Sequence, residues 1–405
     1  MLNSDFFFDP FEPATLADPY PTWALLRSED PLHWSPKLRA WLVTRYEDAR
    51  RFFQDHEHLS ADRGKVKRRK VHSVRISADP GVRTISLDPP EQEPVRQLMT
   101  GALSPRIRAM PPRIEEMIRI LFEAIEGAAV RTAEKTSFAG TFDLVQALAY
   151  PLPIQVIAEL FDIPDAERNE FRETADKIAR GMDQFFSSET VGENLRQMGG
   201  YFAGLIAERR GSRGDDLIRR LCDAEHEGDR LGDIEVVAMA TALVFGGYET
   251  TANLIANGMQ LLFEHPDQRE RVQAEPALAT LAIEEMLRVE TPPQAISRTA
   301  TRDFEWHGKQ IARGDLVLGC LGSANRDESA FANPEVFDVA RDPNPHIAFG
   351  LGAHFCPGAQ LTRLEVRALL PALLQRYPRI RPAGEAVRRR TFILRGFESL
   401  PVRVD

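Results

Sequence analysis

The stretch 346–365, HIAFGLGAHFCPGAQLTRLE, holds the residues best suited to chemistry. Pro357 follows Cys356 directly, and GAQLTRLEVRALLPALL then reads as a helix whose first position accepts proline. On this reading Cys356 is the N-cap of a long helix, where the dipole and free N–H groups stabilise a thiolate and lower its pKa. A thiolate can be a nucleophile or a metal ligand. As a nucleophile its nearby base would be His354, a strained arrangement for a hydrolase. As a ligand it would sit among Gly350, Gly352 and Gly358, which allow tight turns and close approach of the backbone to a bulky flat group.

A second set lies in 234–264, a segment longer than an ordinary helix and apolar on most faces in its first half. It also contains Gly246, Gly247, Glu249, Thr250 and Thr251. Two adjacent glycines cost roughly 2 kcal/mol in a helix interior relative to alanine. A core helix that accepts this and adds a carboxylate and two hydroxyls either is kinked by its glycine pair or borders something other than side chains. A third set, Glu285 and Arg288, shares a helix face at i,i+3 and can pair.

Elements able to position these groups are mainly helical. Helical periodicity marks Tyr46–Gln54, 91–103, 113–129, 166–180, 191–210 and 234–264. Residues 32–44 read as a hairpin turning at Ser35, Pro36 and Lys37. Short strands are expected at Ile296–Ala300, Phe304–Trp306, 316–318 and near the C-terminus. Without repeats or linkers, 1–405 reads as one domain, β-richer over 1–85, helix-rich over 86–380 and β again over 381–405. The class is mainly α with a minor β portion.

With 51 basic and 60 acidic side chains the formal charge is −9, which gives no reason to expect nucleic acid. The N-terminus lacks the pattern of a signal peptide, and the apolar stretch 236–245 is too short for a bilayer, which takes roughly 20 residues. A cytoplasmic chain with no membrane anchor is expected. Cys222 and Cys320 fit no metal or disulfide spacing and read as thiols without a role.

The pattern Phe349-Gly350-x-Gly352-x-His354-x-Cys356-x-Gly358 resembles the haem-binding signature of the cytochrome P450 superfamily. Further motifs resemble that family in the order it requires, from about Asp18 to Val404. They are Asp88-Pro89-Pro90-Glu91 with Arg96, the central Gly246-Gly247-Tyr248-Glu249-Thr250-Thr251, Glu285-x-x-Arg288 with Phe337-Asp338-x-x-Arg341, Arg298 after Pro292-Pro293-Gln294, and Ala324-Asn325-Arg326-Asp327. The fold so implied is a triangular helix-rich domain with small β-sheets, the haem lying between the central helix and the cysteine-loop helix.

By this resemblance the cofactor is haem b with Cys356 as axial thiolate, which pushes electron density onto iron and favours O–O cleavage. Phe349 shields the sulfur, and Gly247, Gly350 and Gly358 border the haem. Arg96, Arg298 and His354 hold the propionates, because buried carboxylates need cationic or hydrogen-bonding partners. Many relatives carry histidine where this chain has Gln92, leaving at best a neutral donor there. Thr250 orients protons and water at iron-bound dioxygen, and Glu249 relays protons from outside. Glu285, Arg288 and Arg341 form a buried structural network.

The pocket implied for an apolar substrate includes Phe185, Phe186, Leu243, Gly246, Ile296, Phe392, Ile393 and Leu394, although several of these read equally well as core. The basic run 63–70 reads either as a solvated segment or as a lid that steers an anionic group. A ferredoxin or flavodoxin-type electron donor would dock on the thiolate side, with Arg96, Arg106, Arg108 and Arg113 as basic candidates. A monomeric monooxygenase acting on a terpenoid, steroid, macrolide or fatty-acid-like substrate is expected. The rivals are a peroxide-driven peroxygenase or isomerase, against which the pair Glu249 and Thr250 speaks, and a non-catalytic haem-binding protein.

Overall fold

The computed structural model describes residues 8–62, 65–66, 86–128, 140–182, 189–211 and 214–405. Helices dominate and the sheets are small. The largest sheet contains β1 (Leu32–Ser35), β2 (Ala40–Val43), β3 (Leu59–Ser60), β4 (Ile296–Ala300) and β5 (Leu316–Gly319), in the order β1-β2-β5-β4-β3. β2 and β5 run parallel, and the other neighbours run antiparallel. The hairpin forms where periodicity places it, but it turns through Pro36–Arg39, later than expected. Leu38 N–H donates to Ser35 Oγ at 3.2 Å, and Arg39 takes a left-handed φ of 50°.

The sheet carries Arg298 on β4, opposite Val317 of β5, and so places the guanidinium beside residues that follow α1 (Tyr46–Gln54). α1 is amphipathic and buries Tyr46, Ala49, Phe52 and Phe53 against the sheet. Several helices contribute to the main core. Among them are α2 (Gln92–Ala109), α3 (Pro111–Ala128), α4 (Pro151–Leu160), α5 (Glu189–Arg209) and the central α6 (Asp233–Glu264). α6 continues unbroken through its glycine pair, and Glu235 Oε2 accepts the Gly232 N–H at its start at 2.8 Å. It packs against α4, α5, α7 (Ala279–Val289) and α8 (Ala359–Arg376).

Burial explains why α6 is apolar on most faces: neighbours surround it over most of its length. Its hydroxyls are then sorted by direction. Thr251 is fully buried and lies 3.1 Å from Thr362 Oγ1 of α8, a side-chain bond that ties the two site helices together. Thr250 is only half-buried.

Candidate functional site

The cysteine loop is closed by its own backbone. Cys356 N–H donates to Phe349 O at 2.9 Å, while Gly350 and Gly352 take left-handed φ values of 71° and 66° that side chains disfavour. The helix starts later than expected. α8 begins at Ala359 with Gly358 as N-cap, so Cys356 precedes the cap instead of forming it. The reason is local: Pro357 and Gly358 form a turn, and Ala359 N–H reaches back to Cys356 O at 3.4 Å.

This shift changes the electrostatics. Burial raises the Cys356 thiol above its ordinary pKa, opposed by the Gly358 N–H, the Arg96 charge, the Ala359 N–H and Arg363. The expectation that the helix start lowers this pKa is therefore corrected: burial outweighs the N–H groups and charges that oppose it. Cys222 and Cys320 are also raised by burial, but Cys320 has only the backbone around Val43 against it. A Cβ added at Gly358 would stand 3.9 Å from the Cys356 sulfur, so glycine keeps the sulfur uncovered. Arg363 lies 4.5 Å over the Phe349 ring and forms a forked pair with Glu284 at 2.7 and 2.6 Å. His346 meets the same carboxylate at 2.9 Å. Sequence reasoning missed Glu284, the neighbour of the motif glutamate, which clamps α7 to the loop.

On α6, Thr250 Oγ1 donates to Gly246 O at 2.6 Å, a back-bond to the preceding turn of the helix. Gly246 is exposed, and a Cβ there would meet nothing within 4 Å. Gly247 points the other way: its Cβ would collide with Ile157 Cδ1 of α4 at 2.7 Å. On the side where a side chain would stand, Gly247 serves the packing of α6 on α4. Glu249 is fully buried and pairs with Arg389 at 2.6 Å, and the same Arg389 nitrogen donates to Tyr150 Oη at 2.6 Å. No motif signals Arg389, which reaches Glu249 from a distant part of the chain, or Tyr150, which accepts from that arginine.

Glu285, Arg288 and Arg341 do come together. Both members of the first pair are 0% exposed, Arg288 forking onto Glu285 at 2.7 and 2.8 Å, and Arg341 Nε adds 3.0 Å. A second buried network was not legible: Glu290 meets Arg395 at 2.7 Å, with Arg388 at 3.6 Å and Arg326 at 3.8 Å. Burial pushes the Glu290 carboxyl up, but the three guanidinium groups hold it below its ordinary value.

Of the expected propionate partners, Arg298 is 2% exposed and has no carboxylate within ion-pair distance among the described residues. Its partners are the neutral His56 Nδ1 at 3.1 Å, Leu59 O at 3.3 Å and Phe53 O at 3.4 Å, and burial pulls its pKa down to about 10. A buried guanidinium in this state suits an anionic group. His354 stands 5.8 Å, ring to ring, from His56, and Arg96 lies close enough to Cys356 for each charge to act on the other. Gln92 Nε2 donates to Ala353 O at 2.9 Å, so this amide braces the cysteine loop. A cysteine sulfur, a bared loop and the buried Arg298, which has no carboxylate partner among the described residues, together fit a haem, which is flat and carries two carboxylates.

Other expectations fare differently. Phe185 and Phe186 lie outside the described residues, as does the run 63–70 except for Lys65 and Val66. Phe392 belongs to a core cluster with Phe8 and Trp23, 6.1 Å from each ring, and Ile393 packs on that cluster, so neither is a free pocket wall. Leu394 is buried and bridges Pro293, whereas Ile296 is 39% exposed and Leu243 half-buried. Arg113 is bound to Glu159 at 2.8 Å and Arg106 to Glu159 O at 2.8 Å, so two of the basic docking candidates already hold partners within the chain.

The cytochrome P450 family profile matches residues 193–389. The polyketide biosynthesis cytochrome P450 PksS of Bacillus subtilis is 33% identical over 96% of each chain, and its solved structure aligns with a TM-score of 0.87 over 98% of this chain and all of that one. The cytochrome P450 monooxygenase PikC of Streptomyces venezuelae is 36% identical, covering 96% of this chain and 91% of its own. The solved P450BioI, in complex with a fatty-acid-loaded acyl carrier protein, is 31% identical with a TM-score of 0.85, covering 97% and 100%. The chain belongs to the cytochrome P450 family. It is a cytochrome P450 monooxygenase with bacterial relatives in secondary metabolism, and its family implies a haem-thiolate cofactor. No helix among the described residues is long and apolar enough to cross a membrane.

Proposed function

We propose that this protein inserts one oxygen atom of dioxygen into an apolar organic substrate, with Cys356 as ligand to the iron of haem b and electrons from a ferredoxin or flavodoxin-type donor. What supports the reading most is the Cys356 loop, closed by Cys356 N–H on Phe349 O with Gly358 leaving the sulfur uncovered, beside buried Arg298, which has no carboxylate partner among the described residues. When bound, the haem supplies redox chemistry and dioxygen activation, tuned by its thiolate.

The chain's own residues do the rest. Phe349, backed by Arg363, covers one side of the loop and limits water at the sulfur. Thr250 holds a hydroxyl against Gly246 O at the open face of α6 and can pass a proton on without leaving the helix. Glu249 supplies protons to that position, its carboxylate paired with Arg389, which Tyr150 in turn positions. Arg298, Arg96 and His354 bind the carboxylates of the cofactor.

For substrate, the relatives' names favour polyketide or fatty-acyl compounds within the wider class of terpenoid, steroid, macrolide and fatty-acid-like molecules, and the half-buried Leu243 and exposed Ile296 suit an apolar guest. The test is the carbon monoxide spectrum of the reduced protein, followed by a spin-state titration against that panel. A thiolate-type spectrum lost in Cys356→Ala, and donor-dependent product, are expected. A histidine-type spectrum, or equal turnover with peroxide alone, overturns the reading.

A further inference from the structure

Around Arg298 one histidine has no assigned role. His56 follows α1, and its Nδ1 lies 3.1 Å from Arg298 NH1. A guanidinium only donates, so His56 Nδ1 must be the acceptor, and the imidazole proton therefore resides on Nε2. Burial and the Arg298 charge both lower the His56 pKa, against Asp88 and Asp55, which keeps the ring neutral. One ring nitrogen of His56, one of His354 and a carboxylate oxygen of Asp88 lie within 4.8 Å of one another.

Asp88 is already satisfied. Ala61 N–H reaches its Oδ1 at 2.9 Å, and the Ser60 hydroxyl and Lys65 Nζ reach its Oδ2 at 2.5 and 3.1 Å. Those donors hold the Asp88 carboxyl below its ordinary value despite burial. No hydrogen bond joins it to His56 among the described residues. A divalent cation is a poor occupant, because Arg298 already fills one histidine nitrogen and brings a positive charge to the same spot. An anion suits the spot better, because the Arg298 guanidinium touches His56 and a ring nitrogen of His354 lies within 4.8 Å of one of His56.

We infer that His56 is a binding residue for a cofactor carboxylate: held in one tautomer by Arg298, it donates its Nε2–H to a haem propionate, at a site where Gln92 is turned away toward Ala353 O. This rests on the haem-thiolate reading and adds to it a residue from outside every motif in the sequence.

Two variants test it, read by the rate of haem transfer from the purified holoprotein to excess apomyoglobin. Gln places its amide nitrogen where histidine has Nε2, whereas Asn reaches only as far as Nδ1. His56→Asn should lose haem about tenfold faster than the wild type, the effect of losing one hydrogen bond to a charged group. His56→Gln should stay within about threefold of the wild type, with both variants keeping the wild-type helical circular dichroism. Equal rates for wild type and His56→Asn overturn the inference, as do equally fast rates for both variants, which would mark His56 as packing alone. A wild-type protein that takes up no haem would refute the family-based reading itself, a result distinct from either.

Discussion

Two carboxylates, Glu285 and Glu249, are both 0% exposed, yet their surroundings differ in kind. Glu285 accepts from Arg288 twice, Arg341, Asp338 N–H and Asn344, all between 2.7 and 3.1 Å. Arg288 in turn directs its remaining donors to the carbonyls of Asn325, Pro334 and Val336. Glu249 faces Arg389 through one nitrogen shared with the Tyr150 hydroxyl, on a helix beside the half-buried Thr250. The first arrangement is a lock, in which each group is fixed by several others and none can change charge cheaply. The second sets a buried carboxylate, on the helix that carries Thr250, against a guanidinium nitrogen, at the place proposed above for a proton route.

The comparison can be broken most directly at Arg288. Arg288→Ala leaves Glu285 and three carbonyls short of donors and should cost about 3–5 kcal/mol in urea or guanidinium unfolding. Arg288→Lys should recover little, because an ammonium cannot fork onto the carboxylate.

The Glu284 clamp is intermediate and is tested by pH. Arg363 and His346 hold its carboxyl at about 2 despite burial, below the ordinary 4.5. A depressed carboxylate stabilises the fold above the ordinary value and loses that contribution as pH falls through the folded one. Stability should therefore drop by about 2–3 kcal/mol between pH 4.5 and about 2, and Glu284→Gln should flatten that limb of the acid-unfolding curve.

Arg389→Gln should cost less than Arg288→Ala, about 1–2 kcal/mol, because fewer groups lose a partner. It should nevertheless lower product formed per electron consumed, because it takes the cation from the carboxylate proposed to relay protons. A stability loss equal to that of Arg288→Ala, with coupling intact, would make Glu249 a second lock. The smallest effect on the fold belongs to Thr250→Ala, within about 0.5 kcal/mol. That variant should keep haem while uncoupling electron use from product, and full coupling would remove Thr250 from the proton route.

Helices were legible where apolar periodicity is strong: Tyr46–Gln54 is observed as expected, and the central helix begins at Asp233, one residue before the expected 234. The cysteine loop was legible as a motif but not in its helix register, because Pro357 suits a first turn and also the turn that precedes it. Gly247 and Gly246 are indistinguishable as letters. Only the side chain of Ile157 shows which of them faces protein. Phe392 was ambiguous between pocket and core, and its packing on Phe8 and Trp23 decides for core.

The sequence by itself determined the sulfur at position 356, the glycines that turn its loop, and the i,i+3 pairing of Glu285 with Arg288, since all of these are set by short-range geometry. Tertiary structure alone decided which cation meets Glu249, which arginines surround Glu290, and that His56 stands against Arg298 from 242 residues away. The physical reason is that local spacing defines a helix face or a turn, while the partner of a buried charge is chosen by whichever element the topology brings across the core.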